Sequence, residues 1–348
     1  MPITRELIQK LPKTDLHVHL DGSLRPATVA ELARKQNVSL PTFDHEELGK
    51  LLTVQGQVDN LAKYIEKFEM TLSVMQEADA LERIAYELAE DAARDNVRYM
   101  EVRYSPILHQ QKGLSLENIV DAVLAGLAQA EKDFPIRTGV IICGIRSIKP
   151  ETSLRLAELT VAYKGKGVVG FDLAGVEYNY PAKDHLKAFY HVRNNNINTT
   201  LHAGEAYGPA SIHQAIHYCG AHRIGHGTRL IEDDDLLNYV RDHRIPLEIC
   251  LTSNVQTRSV ERIEDHPFKH YLDKRMRVTL NTDNTLISGT TMTEELWLAA
   301  RTFDMNFEEL MRTILNGFKS VFLPFDEKVE VYQKAKAEIF AMKDELEA

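Results

Sequence analysis

Cysteine is scarce in this chain. Cys143, Cys219 and Cys250 are the three in 348 residues, far apart and without a C-x-x-C pair. That excludes a disulfide framework and a redox dithiol, and it points to reduced thiols in the cytoplasm. No apolar run approaches the roughly 20 residues of a membrane span. The first residues, MPITRELIQKLPK, lack the continuous apolar stretch of a secretory signal. Positive charge is outnumbered: Lys plus Arg is 41 against 51 Asp plus Glu, a balance of −10. The longest basic cluster, YLDKRMR at 271–277, is interrupted by Asp273, so no nucleic-acid face is expected. Low-complexity segments are missing too, and nothing marks an obligate protein partner. What remains, 44% apolar and 26% charged, is an ordinary globular composition.

Eight short β-like runs are present: 15–20, 97–105, 138–145, 167–175, 199–205, 223–227, 246–254 and 277–283. Helical patterns lie between most of them, such as 80–95, with apolar residues at 81, 84, 85, 88, 89 and 92. The run 115–133 opens with Ser115, an expected N-cap. Eight strands alternating with helices predict an α/β chain folded as one (β/α)8 TIM barrel across residues 1–348. A doubly wound open sheet is the other arrangement, but its glycine-rich first turn is missing from HLDGSLRP. The long connection 21–96 holds more helix than one crossover requires, including HEELGKLLT and 60–75. These extra helices are expected to form a lid over the mouth, with plain packing around the barrel as the alternative. Residues 325–348 read as a charged amphipathic helix with a structural role.

The chemistry-bearing residues gather at the ends of these runs, where a barrel keeps its active site. In TDLHVHLDGS, His17 and His19 are two apart and so share one face of a strand. Neutral imidazole suits a divalent transition metal, although two core histidines bonded to backbone would show the same spacing. In a closed barrel the last strand returns beside the first, bringing Asp283 to the pair, with His202 facing them. Three nitrogens and one carboxylate leave a position for water, as in a catalytic site. Glu205 follows in HAGE, and His226 stands between two glycines in RIGHG. A helix cap and a turn residue are the plainer readings of those two. HQAIH puts His213 and His217 one helical turn apart, but on the barrel exterior. Both are read as structural or exposed, as are His45, His109, His185, His191, His222, His243, His266 and His270, for which no supporting partner is apparent.

TDLHVHLDGS, DLAG, LHAGEA, RIGHG, CLTSN and LNTD occur in this order over nearly the whole chain. Together they resemble the adenosine deaminase family of the amidohydrolase superfamily. The resemblance implies a barrel with one zinc ion per chain. That enzyme hydrolyses the 6-amino group of adenosine and 2′-deoxyadenosine, giving the inosines and ammonia. It implies His17, His19, His202 and Asp283 as metal ligands, Glu205 as proton donor, and His226 as the partner that holds the attacking hydroxide or takes its proton. It also implies His19, Asp21 and Gly175 as contacts to a purine nucleoside. Two positions depart from the family pattern. TDNT puts Asn284 where many members carry an acid. An amide can donate to purine N7 at any pH, so the contact is kept while selectivity stays open. DLAGVE puts Val176 where many place an acid. Other 6-aminopurines (adenine, 6-aminodeoxyfutalosine, a methylated adenylate) remain alternatives. So do a two-metal amidohydrolase, against which the missing strand-four lysine counts, and an inactive nucleoside-binding relative.

Overall fold

The computed structural model describes residues 3–58 and 61–347. Eight strands hydrogen-bond in chain order: β1 Lys13–His19, β2 Val97–Tyr104, β3 Arg137–Ile145, β4 Val168–Ala174, β5 Asn198–Ala203, β6 Arg223–His226, β7 Leu247–Ile249 and β8 Val278–Leu280. Every pairing is parallel. The ring closes through a backbone bridge between Val18 and Asp283. There His19 N–H donates to Asp283 O at 2.7 Å and Asp283 N–H donates to His17 O at 2.8 Å. Side chains complete the seam: Asn281 Oδ1 accepts from Leu16 N–H at 2.9 Å, and Asp15 Oδ2 accepts from the Thr282 hydroxyl at 2.5 Å. This is the (β/α)8 barrel expected, with β8 beside β1.

The last two strands are shorter than their apolar alternation suggests. Leu247, Ile249 and Leu251 mimic a strand running to 254. Instead, a helical turn, Leu251–Gln256, starts directly after Cys250, closed by Asn254 N–H donating to Cys250 O at 2.9 Å. Three alternating apolar residues cannot distinguish a strand from a strand that turns into a helix. Elsewhere the periodic segments form the expected helices, Ala78–Arg94 and Leu116–Asp133, and the Ser115 hydroxyl caps the second by accepting from Asn118 N–H at 3.1 Å. No helix among the described residues is long and apolar enough to cross a membrane.

Between β1 and β2, helices Pro26–Gln36, His45–Leu52 and Leu61–Ser73 precede the crossover helix. The helix Leu61–Ser73 packs on the turn Leu20–Gly22 at the end of β1. The strap after helix His45–Leu52 is sewn to the loops after β7 and β8: Val54 N–H donates to Ile287 O at 2.8 Å and Val58 N–H to Gln256 O at 3.0 Å. The helix Leu61–Ser73 and this strap therefore lie at the mouth end of the barrel, beside the loops that follow β1, β7 and β8. Residues 59 and 60, within the expected lid, lie outside the described residues.

Glu295, fully buried against the helix Leu251–Gln256, accepts from the Thr290 hydroxyl at 3.0 Å and from Thr252 N–H at 3.4 Å. Burial pushes its carboxyl from 4.5 up to about 7. The folded state therefore holds this proton more tightly than the unfolded chain, so the group's contribution falls as pH rises from about 4.5 to 7. A shift of this size corresponds to about 3 kcal/mol. Glu295→Gln keeps the acceptor and cannot ionise. Its stability relative to wild type should rise across that window and level off above it, as urea unfolding at stepped pH would measure. A pH-independent difference would contradict this account.

Candidate active site and metal centre

Five strands deliver the predicted residues to one mouth. His17 and His19 come from β1, His202 from β5 and His226 from the end of β6, while Gly175 follows β4 and Asp283 follows β8. Asp283 and His226 both have φ +61°. For residues other than glycine this left-handed conformation costs on the order of 1–3 kcal/mol, and it is held where a side chain must be re-aimed. Gly175, at φ +93°, occupies a turn that glycine accommodates freely.

The donor atoms converge. His17 Nε2 and His19 Nε2 each lie 3.1 Å from His202 Nε2 and 3.5 Å from Asp283 Oδ1. Metal–nitrogen bonds of about 2.0–2.1 Å around one tetrahedral ion would separate its donors by about 3.3 Å. The far sides of two rings are fixed: His17 Nδ1 donates to Glu248 Oε2 at 2.9 Å and His202 Nδ1 to Asp172 Oδ2 at 3.0 Å. As neutral rings they then turn Nε2 lone pairs toward each other, an arrangement that a cation stabilises. Among the described residues, one grouping of three or more close donors is present, His17, His202, His226 and Asp283. His19 joins it through the contacts above. These donors fit a metal ion.

Glu205 stands beside this set, its Oε2 3.6 Å from His226 Nε2 and its Oε1 accepting from the Thr257 hydroxyl at 3.2 Å. Although 21% of its side chain faces the mouth, burial, reinforced by the negative charge of Asp283, pushes its carboxyl up to about 7. Glu177 holds the loop, accepting from Glu205 N–H at 3.2 Å and Tyr207 N–H at 3.0 Å. Asp21, buried in the turn Leu20–Gly22, has an Oδ1 with no hydrogen-bond partner, and burial raises its carboxyl to about 6. Asn284 lies directly on Gly22, where an added Cβ would fall 1.8 Å from its Oδ1. Gly225 makes room for the ring of His17: a Cβ there would meet His17 Cε1 at 3.0 Å.

The model of the adenosine deaminase family matches residues 12–338. The adenosine deaminase of Mycobacterium avium is 44% identical over 351 residues, covering 95% of each chain. The chain belongs to the adenosine deaminase family. A probable adenosine deaminase of Dictyostelium discoideum is 43% identical over 96% of this chain, which spans 43% of that longer protein. Among solved structures, the N6-methyl-AMP deaminase of Arabidopsis thaliana superposes with a TM-score of 0.85 at 28% identity, covering 98% of this chain and 100% of its own. An adenine deaminase of Arthrobacter aurescens shares the fold at a TM-score of 0.87 and 24% identity, covering 94% and 98%.

Several members of the site were not foreseen. Arg103 bridges the two carboxylates behind the histidines, donating to Asp172 Oδ2 and Glu248 Oε2 at 2.9 Å each. Arg223 joins Glu248 to Glu101. All five are buried inside the barrel. Alternation in VRYMEVRYS and GFDLAG marks Glu101, Arg103 and Asp172 as sharing the barrel-facing side, which was the available signal. His266, assigned no partner from sequence, donates from Nε2 to Asn254 Oδ1 at 3.2 Å. His213 and His217 stand exposed on the exterior, as expected.

Proposed function

We propose that the chain hydrolyses adenosine and 2′-deoxyadenosine to the corresponding inosines and ammonia, using one zinc ion held by His17, His19, His202 and Asp283. The observation that carries this is an acid pushed up to about 7, Glu205, standing at the edge of a four-donor metal set. Such an ion, when bound, supplies Lewis acidity that lowers the pKa of water to about 7 and makes a nucleophile available near neutrality. Glu205 gives its proton to purine N1 as the nucleophilic oxygen bonds to C6, so that the ring accepts the electron pair without building up negative charge. The carboxylate then carries the hydroxyl proton to the amine, which leaves as ammonia while C6 becomes a carbonyl. The proton spent on N1 is replaced by the one released when the next water ionises.

His226 faces the nucleophile through Nε2. Asp21 offers its unpartnered Oδ1 to a ribose hydroxyl, the Gly175 backbone N–H approaches N3, and the Asn284 amide donates to N7. The rim favours an uncharged sugar. Val176, Tyr178 and Tyr207 are exposed there, and Arg146 is buried and already bonded to Tyr180 O at 2.8 Å and His202 O at 2.7 Å. It is therefore not free to hold a phosphate. Three buried free thiols support a reducing, cytoplasmic setting.

One assay tests the reading. Adenosine, 2′-deoxyadenosine, adenine, 6-aminodeoxyfutalosine and N6-methyl-AMP are each followed by the ultraviolet change to a hypoxanthine chromophore, with metal content measured on the same protein. Turnover of the two nucleosides with about one zinc per chain is expected. Turnover confined to another aminopurine, or two metals per chain, would overturn it.

A further inference from the structure

The mouth offers five donors, one more than the three imidazoles and one carboxylate of the proposed metal set with its open water position, so one histidine must do something else. Protons on the far sides of the rings decide which. His17 and His202 turn Nδ1 toward carboxylates, which accept only, so both carry the proton on Nδ1 and leave Nε2 bare. The environment of His226 is the opposite. Phe268 N–H, a backbone donor at the start of the helix Phe268–Asp273, donates to His266 Nδ1 at 3.0 Å. A neutral His266 must then carry its proton on Nε2, which donates to Asn254 Oδ1 at 3.2 Å. That fixes the amide: Asn254 Nδ2 points at His226 Nδ1, 3.0 Å away, and donates to it. All three side chains are buried, with Asn254 fully so. Burial also holds His266 down to about 3, so it has one ring proton to place.

We infer that His266 and Asn254 form a proton-ordering relay that locks His226 with its hydrogen on Nε2. His226 is thereby kept off the metal and acts as a hydrogen-bond donor to the nucleophile, not as the base that takes its proton. Asn254 and His266 are positioning residues, acting through His226. The backbone supports the same assignment, since the left-handed turn at His226 aims Nε2 toward Glu205 Oε2, 3.6 Å away. The relay starts from a backbone N–H, which cannot reverse its direction. Its polarity therefore passes unambiguously through the amide to the imidazole.

The inference rests on the proposed deamination only for the meaning of the donor; the proton position can be read without substrate. In zinc-loaded protein with 15N-labelled imidazoles, one-bond couplings report which nitrogen carries hydrogen, and His226 is identified as the ring whose signals are missing in His226→Gln. Wild type should show His226 protonated on Nε2. Asn254→Asp, isosteric and still able to accept from His266, should move that proton to Nδ1. An Nδ1 proton in wild type overturns the relay whether or not adenosine is a substrate. Kinetically, Asn254→Asp should lower kcat by about 10²-fold, the usual effect of losing one preorganised donor, with KM little changed. His266→Leu should lower kcat in the same way, and His266→Gln, which restores a donor to Asn254 Oδ1, should recover most of it. Equal kcat in the Leu and Gln variants would also overturn the relay, since a role in packing alone predicts no such rescue.

Discussion

Glu205→Gln is expected to lower kcat by about 10²–10⁴-fold, the range supplied by a positioned general acid, while zinc content and nucleoside affinity stay close to wild type. The reasoning separates binding from proton transfer. The substituted amide would keep the length of the side chain, the acceptor for the Thr257 hydroxyl and the backbone N–H held by Glu177. It can still donate a hydrogen bond to N1, so the ground-state complex survives. It cannot release a proton, and without protonation at N1 the electron pair displaced from the C6–N1 double bond stays on the ring as charge. The loss therefore falls on kcat and kcat/KM together, the signature of an interaction realised in the transition state. Steady-state kinetics with metal analysis and equilibrium titration of inosine would show it. Activity within tenfold of wild type would remove Glu205 from the acid role.

The barrel and the clustering of His17, His19, His202 and Asp283 were readable from sequence because each rests on local periodicity or on closure of the fold. His17 and His19 share a face by two-residue spacing, and Asp283 meets them because the eighth strand of a closed barrel lies against the first. The charged interior and the relay were not readable, because their meaning lies in pairing. Glu248 meets His17 across 231 residues and Arg103 across 145. His266 showed no partner because the amide it orients, Asn254, is twelve residues back in the chain and stands in the helix into which β7 abruptly turns. That turn was itself disguised by the alternation of Leu247, Ile249 and Leu251. The space beside His226 at Gly225 is likewise taken from across the barrel, by the ring of His17.

Replacing Glu248 should do more damage than any substitution on the rim, and in two separable ways. Its carboxylate is shared four ways: His17 Nδ1 at 2.9 Å, Arg103 Nη2 at 2.9 Å, Arg223 Nε at 2.5 Å and the Thr200 hydroxyl at 2.9 Å. Two guanidiniums and three carboxylates, Glu101, Asp172 and Glu248, interlock in this buried interior, with one negative charge in excess. Glu248→Leu has a similar volume but leaves each arginine with a single carboxylate, Asp172 for Arg103 and Glu101 for Arg223, and takes the acceptor from one buried guanidinium donor of each; a buried donor left unsatisfied costs about 1–3 kcal/mol, more for a charged group. It also frees His17 to place its proton on either nitrogen, for which a loss of about 10–100-fold in metal affinity is expected. Glu101→Gln separates the two effects. Glu101 pairs with Arg223 and accepts from Phe322 N–H at 2.6 Å, and neither of these contacts goes to a histidine of the cluster at the mouth. That variant should lose stability to urea while holding zinc as tightly as wild type in chelator competition. Glu248→Leu should lose both. If its zinc affinity matched that of Glu101→Gln, the carboxylate behind His17 would be a structural counter-ion alone, and the orientation of that imidazole would have to come from the barrel wall at Gly225.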